Sequence, residues 1–597
     1  MASAIGARKA KTVNNPNARK PNLRGFHKAN VAPDVAFLDG TILSLSQIRY
    51  ATREAERQKT DVATQIIALG MVNEETYYKK AASELGLAYL SPDDLKNYEI
   101  LEVSEPIRTT RKEGGTVLLK TPDGYLRVLA PRSDDLEGLR QTRQHNGVRI
   151  GAIASKSALA KIVRERHSDQ FASYASFSLK KHFPLKSAEK IEHVKSAAFI
   201  CTLLTLILFL GAWPSAIITH GIAILLSILF LFAVGLRCAA TFSFKTNKQR
   251  ISGDFSPATG ELPTYSVLVA LYDEANVVSE LIQSLEWLDW PISKLDIKFL
   301  LEFDDCATIA TVERAIRNKH QFEMIIVPAG NPRTKPRALN YGLALSRGDY
   351  VVVYDAEDRP HPQQLQEAYN RFQKAEQDVA CLQAPLLADN AEDTWYSGHF
   401  KLEYAALFDG LLPFLAAKKF PLMLGGTSNH FNVKVLRGVG AWDPFNVTED
   451  ADLGIRLSRA GYRTDVLNLP TYEEAPTNWK VWSNQRTRWF KGWMQTIFVN
   501  MREPARLFSQ LGFLNALVYH LISTVLLISV LGHPLFLILL INNLAYEQAN
   551  TVLSLFYAVS CGLLFVSYGA QACLSWLANR YRDTKFHILT ALGIPFY

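Results

Sequence analysis

Acidic residues gather at three points in the middle of the chain: Glu274, the pair Asp304-Asp305, and the run Asp355-Ala356-Glu357-Asp358. They follow short β-rich runs at Tyr265 to Leu271, Ile297 to Phe303 and Tyr350 to Tyr354. A single carboxylate at a strand end commonly caps a turn. Three groups on one edge repel one another and call for a cation to offset them. Oxygen-only donors suit a hard divalent ion, Mg2+ or Mn2+, which bridges carboxylates to substrate phosphates, so a nucleoside diphosphate is the natural companion. Further on, Trp479, Trp482, Trp489 and Trp493 stand beside Lys480, Arg486, Arg488 and Lys491, a composition suited to a helix lying at a membrane surface.

The strands that position the acids, completed by Met324 to Val327 and Val379 to Gln383, alternate with helical stretches. This order predicts a mainly parallel sheet, whose ligands sit beyond the carboxyl ends of its strands, where the acids stand. No GxGxxG follows the first strand, which argues against a nicotinamide-binding sheet, and the absence of GxxxxGK[ST] excludes a P-loop ATPase.

The 597 residues leave room for three or four units, and 48% hydrophobic against 20% charged residues predicts a mosaic of soluble domains and membrane spans. The excess of 65 basic over 57 acidic residues is accounted for by cytoplasmic flanks of membrane helices, so nucleic acid is not an expected partner. Six cysteines without a CxxC pair read as reduced core or membrane residues. Residues 1–33 form a basic tail, and 34–170 a small α+β domain with helices at Ser46 to Arg57 and Glu74 to Leu85 and strands at Thr116 to Leu119 and Leu126 to Leu129. A basic linker is expected at 171–196. A transmembrane hairpin is expected at 197–240, from the apolar runs Ala197 to Ile218 and Gly221 to Leu236. Arg237, Lys245, Lys248 and Arg250 after it place the next domain, 250–500, in the cytoplasm. Leu511 to Leu531 and Val552 to Leu577 are read as further spans, Leu535 to Tyr546 as short for a crossing, and His587 to Tyr597 as the start of a span cut off, making 511–597 a truncated transmembrane region.

In their order, the motifs between Leu262 and Tyr597 resemble those of family 2 glycosyltransferases of the GT-A fold, particularly the membrane-embedded bacterial synthases related to cellulose and curdlan synthases. The resemblance implies an α/β GT-A domain embedded between transmembrane helices of the bacterial inner membrane. It implies that Asp304 and Asp305 hold a uridine nucleotide, with Tyr272 and Glu274 on the base side. Asp355 and Glu357 match the metal motif, with Glu in place of its second Asp and Asp358 alongside, so which of the two reaches the ion is open. Thr448-Glu449-Asp450 matches the motif whose aspartate is the general base, which takes the proton of the acceptor hydroxyl during an inverting transfer. Gln485-Arg486-Thr487-Arg488-Trp489 matches the QxxRW motif, in which Arg488 neutralises the leaving diphosphate and Trp489 offers a face to the acceptor sugar. Lys335 opens the helix expected at Pro336 to Leu345, where it either lines the nucleotide side or stands as an exposed helix-start lysine. Gly425 to Phe431, with Gly426 and Thr427, resembles the loop shaping the acceptor site, and His430 is read as a packed structural histidine.

Residues 66–75 and 82–90 resemble the N-terminal domain of type II secretion and pilus assembly ATPases. Some domains of that family bind cyclic di-GMP through an Arg-Leu-Gly repeat. Here Thr60 to Thr64 stand where that signature should begin, so sensing, docking of a partner and simple stabilisation all stay open. The expected activity is transfer from a UDP-sugar, UDP-glucose first, to a growing exopolysaccharide such as a β-glucan, coupled to export. The alternatives are a single transfer to a membrane lipid and a cyclic di-GMP receptor with an inactive transferase domain.

Overall fold

The computed structural model describes residues 33–102, 116–122, 124–145, 148–190, 216–251, 261–317, 319–525, 527–528 and 551–597. The basic tail up to residue 32, the segments 191–215 and 535–546, and residues 526 and 529–531 of the span expected at 511–531 lie outside them. Among the described residues no helix is long and apolar enough to cross a membrane.

The N-terminal unit is α+β. Helices Leu45–Gln58, Val62–Ala68 and Glu74–Leu85 pack on a five-stranded sheet through Ile48, Ile66, Tyr77, Leu119, Val128 and Ile153. Asn73 starts the third helix by accepting from Thr76 N (2.7 Å), and Gly86, at φ +62°, ends it in the left-handed conformation glycine tolerates best. At Thr60 to Thr64 the polar groups are turned inward. Asp61 caps the second helix through Thr64 N (2.9 Å) and also receives Ser133 N (2.7 Å).

The linker expected at 171–196 is not one over its first part. Ser168–His182 is a helix, α1, whose buried stripe Phe171, Ala175 and Leu179 belongs to the catalytic unit. Phe171 meets Tyr341 edge-on at 6.1 Å, and Asn340 donates to Ala175 O (3.1 Å). Of the lysines that suggest a linker, Lys180 and Lys181 stand in the last turn of this amphipathic helix, away from its buried stripe. Helix α2 (Ala216–Ile251) then leads to a seven-stranded sheet: β1 (Tyr265–Leu271), β2 (Leu295–Glu302), β3 (Phe322–Val327), β4 (Tyr350–Tyr354), β5 (Val379–Gln383), β6 (Asn429–Asn432) and β7 (Arg463–Val466). The order is β3-β2-β1-β4-β6-β5-β7. Strands β1 to β4 are parallel, and their near-continuous apolar sequences suit strands covered on both faces. β6 runs antiparallel between β4 and β5, so the sheet is mixed, and part of the segment read as a loop is a central strand. Its polar His430 is satisfied inside by Tyr265 Oη (2.7 Å) and Gln364 Oε1 (3.1 Å).

Helices α3 (Cys306–Ala315), α4 (Lys335–Leu345), α5 (Glu449–Arg459) and α6 (Trp479–Asn500) flank the sheet, and α7 (Thr551–Tyr581) packs along α2. Both are clasped to the catalytic unit by Asp409, a buried carboxylate paired with Lys248 of α2 and with Arg582 just after α7. Arg582 also donates to Asn468 O (2.6 Å).

Candidate active site

At the end of β1 the chain turns sharply through Asp273 (φ +61°). The turn is tied to α3 by Asp305, which accepts from Asp273 N (2.6 Å) and from Thr308 N (3.1 Å). Both its oxygens are thereby engaged within the protein. Burial pushes this carboxyl up, but the hydrogen bonds outweigh it and hold it below the ordinary range. Asp305 therefore shapes the pocket, whereas Asp304 faces outward and pairs with Arg333 Nη1 (2.8 Å). The Arg333 guanidinium lies 4.2 Å over the ring of Tyr272. Tyr272, Arg333 and Asp304 form a flat, charged shelf suited to a nucleoside. Arg333 was not singled out from sequence; its only signal is a basic residue in the Pro-rich turn entering α4.

After β4, Asp355 pairs with Lys335 Nζ, which also donates to Gly426 O (3.0 Å). Asp358 turns inward: one oxygen accepts from Asp355 N (2.7 Å) and from the Thr427 hydroxyl, while its Oδ1 is buried without a partner. Burial, then the neighbouring Asp355, raises the Asp358 carboxyl far above its usual value. Asp358 is buried, whereas Glu357 is exposed at the strand end. Partial desolvation and the charges of Asp355, Glu474 and Glu274 lift its carboxyl to about 7. Glu274 is raised too, by burial and then by Asp273, Asp355 and Asp305. This mutual repulsion is the one a cation relieves.

Glu449 and Asp450 open α5, and α6 fixes the loop before them. Gln495 Oε1 accepts from Val447 N (3.0 Å), and Asn446 Nδ2 donates to Thr496 Oγ1 (3.0 Å). At Gly492 the backbones nearly touch: a Cβ there would lie 2.4 Å from the Thr448 side chain and 2.6 Å from its N. Asp450 Oδ1 accepts from Ala451 N (2.7 Å), and Oδ2 lies 3.5 Å from where a Cβ on Gly426 would stand. Burial raises the Asp450 carboxyl to about 6, and burial together with Asp450 raises Glu449. Lys335 is held above its ordinary value: desolvation opposes its charge, but Asp355, Glu449 and Asp450 favour it more. One ammonium thus links the strand-end acids to the α5 acids.

On α6 the structure separates the two arginines. Arg486 pairs with Glu403 (Nη1 to Oε1, 2.7 Å), donates to Tyr597 Oη (2.7 Å) and lies 4.6 Å over Trp489. Arg488 is exposed, and among the described residues it makes no ion pair with the carboxylates. Gln485 keeps a buried Oε1 without a partner. Trp489 stacks with Tyr404 at 6.5 Å and 20°. The expected acids, Lys335, Gly426 and Thr427 thus share one strand-end cleft, and Trp489 borders it through Tyr404, whose phenol is raised by burial and then by nearby Glu473.

Comparison with known proteins agrees with this geometry. Residues 266–427 match the model described as glycosyl transferase family 2, and 350–576 that described as glycosyl transferase family group 2. A probable glycosyltransferase, YdaM of Bacillus subtilis, is 27% identical over 44% of this chain and 62% of its own length. The β-monoglucosyldiacylglycerol synthase of Synechocystis is 27% identical over 41% of this chain and 50% of its own. The cellulose synthase 1 catalytic subunit of Komagataeibacter xylinus is 23% identical over 52% and 41%. The chain therefore spans less than two thirds of the length of each of these relatives. The mixed sheet with acids at the ends of β1, β2 and β4 lies largely within the stretch that matches the glycosyl transferase family 2 model.

Proposed function

We propose that the chain is an inverting, membrane-bound hexosyltransferase that adds sugar from a UDP-sugar, UDP-glucose first, to a growing exopolysaccharide. The observation that carries this reading is the Asp450 carboxylate beside Gly426, raised toward neutral pH by burial and sharing the Lys335 ammonium with the acids at the end of β4. A carboxylate poised near the working pH is suited to accept a hydroxyl proton. Tyr272, Arg333 and Asp304 hold the uridine, and Lys335 neutralises phosphate charge. Arg488, exposed and free of ion pairs, reaches the leaving diphosphate as the family resemblance implies.

Asp355 and Glu357 would hold Mg2+ or Mn2+. Among the described residues no three ligating side chains converge on one point. Two protein carboxylates nevertheless fit an ion that keeps waters and substrate phosphates as its other ligands. When bound, the ion supplies positive charge to the departing diphosphate.

The membrane part of the reading rests on the apolar runs at 197–218, 221–236 and 552–577 and on the tryptophan-rich α6. A single transfer to a lipid is the second reading, supported by the higher identity to the lipid glucosyltransferase than to the cellulose synthase subunit. The test is incorporation of labelled sugar from a panel of UDP-sugars by membranes containing the protein, followed by sizing of the product. Long polymer supports the first reading, a one-sugar lipid the second. No transfer from any donor by protein that is folded and metal-supplied overturns both.

A further inference from the structure

A buried carboxylate outside the recognised motifs faces the same cleft. Glu473 lies on the middle strand of a small sheet formed by residues 359–360, 471–473 and 386–388. Side chains alternate along a strand, so Thr471 and Glu473 point one way and Tyr472, 41% exposed, the other. The direction of the inner face is set by Thr471, whose hydroxyl receives Ser428 Oγ (2.6 Å) and Gln364 Nε2 (3.0 Å). Ser428 adjoins Thr427, which holds Asp358, so Glu473 is aimed at the β4 acids. It is only 8% exposed, and among the described residues no hydrogen bond or ion pair to its carboxylate is found, its oxygens keeping only a narrow contact with solvent. Buried carboxylates are normally paired, because losing water without a replacement donor is costly. Here the nearest charges, Asp358, Glu357, Asp355 and Asp389, are all acidic and together with burial push Glu473 well above its usual range. On its other side stands Tyr404, stacked on Trp489.

Resting on the transferase reading, we infer that Glu473 accepts hydrogen bonds from hydroxyls of the sugar held between the β4 acids and the Tyr404–Trp489 rings. A sugar supplies adjacent O–H donors and no charge, which this position lacks and needs. Those hydroxyls belong either to the donor hexose or to the terminal acceptor sugar, and the two sources separate in kinetics.

The experiment compares wild type, Glu473→Gln and Glu473→Asp as full chains in membranes, using the UDP-sugar that the panel identifies. It reads UDP release, sugar transfer, and binding of UDP with Mn2+. The expected result is a loss of roughly 10- to 100-fold in kcat/KM for Glu473→Gln, the size of one or two hydrogen bonds. UDP and Mn2+ affinities stay unchanged, and Glu473→Asp recovers part of the rate. A loss shared by UDP release in the absence of acceptor, where water takes the sugar, and by transfer assigns the hydroxyls to the donor, and a loss in transfer alone assigns them to the acceptor. Unchanged turnover in Glu473→Gln overturns the assignment, as does a parallel fall in Mn2+ affinity, which would make Glu473 a metal support. Wild-type protein that binds UDP yet turns over no sugar removes the transferase reading and this one with it.

Discussion

Asp450→Asn removes a charge and almost no volume. The asparagine oxygen can keep the bond from Ala451 N, 2.7 Å away, and its amide nitrogen takes the place of Oδ2 beside Gly426. Lys335 retains Asp355 and the Gly426 carbonyl, so the diphosphate side of the cleft is undisturbed. What disappears is the proton acceptor. General-base assistance contributes typically about 10² to 10⁴ in rate, which corresponds to about 3 to 5 kcal/mol of barrier at 1.36 kcal/mol per decade. Transfer of labelled sugar should fall by that factor while UDP affinity changes by less than about twofold, the signature of an interaction made only in the transition state. The pH profile gives a second check. Because the carboxyl is raised to about 6 and acts when ionised, wild-type kcat should be full above that value and fall about tenfold per unit below it. Since Asp450 and Glu449 interact, the inflection belongs to the pair. A variant retaining more than about a tenth of wild-type kcat, or one that keeps the same acid limb, would refute the assignment.

Three other changes probe the supports of the site. Arg333→Ala should raise the KM for the UDP-sugar roughly 3- to 10-fold with kcat nearly unchanged, because it removes a surface pair with Asp304 and the stack on Tyr272; an equal fall in kcat would place Arg333 in the chemistry instead. Gly492→Ala forces a Cβ into Thr448, so we expect a destabilisation of about 1 to 3 kcal/mol and a larger loss of transfer, read by thermal unfolding beside activity. Phe171→Ala should cost about 3 to 5 kcal/mol in the stability of the catalytic unit, since α1 is part of its core; melting indistinguishable from wild type would restore the linker expectation.

The strands β1, β4 and β5 can be read from the chain alone, because each is a short apolar, β-rich run bounded by turn residues. The position of the acids beyond the strand ends follows from that, as does their tendency to gather a cation. β6 could not be read in this way. Asn429-His430-Phe431-Asn432 has the polarity of a loop, and it is a strand because Tyr265 and Gln364, remote in sequence, supply the partners of His430 inside the sheet. The linker failed for a related reason: the basic residues after Phe171 are visible in sequence, whereas the groove on α4 that buries Phe171, Ala175 and Leu179 exists only once the sheet has formed.

Which residue types gather at the candidate site was legible in the sequence, since carboxylates, a lysine and an arginine-tryptophan pair recur there in a recognisable order. The division of labour among neighbours was decided by the tertiary structure. Asp305 is held by backbone N–H groups and Asp304 by Arg333, Asp358 is turned inward and Glu357 exposed, Arg486 is paired and Arg488 exposed. Most of these distinctions depend on which backbone N–H, hydroxyl or carboxylate another segment brings within hydrogen-bonding distance, from Arg333, 29 residues from Asp304, to Tyr597, 111 residues from Arg486. Glu473 is the extreme case, an ordinary acid in the sequence whose significance comes from being buried, unpaired and aimed at the cleft by the alternation of one short strand.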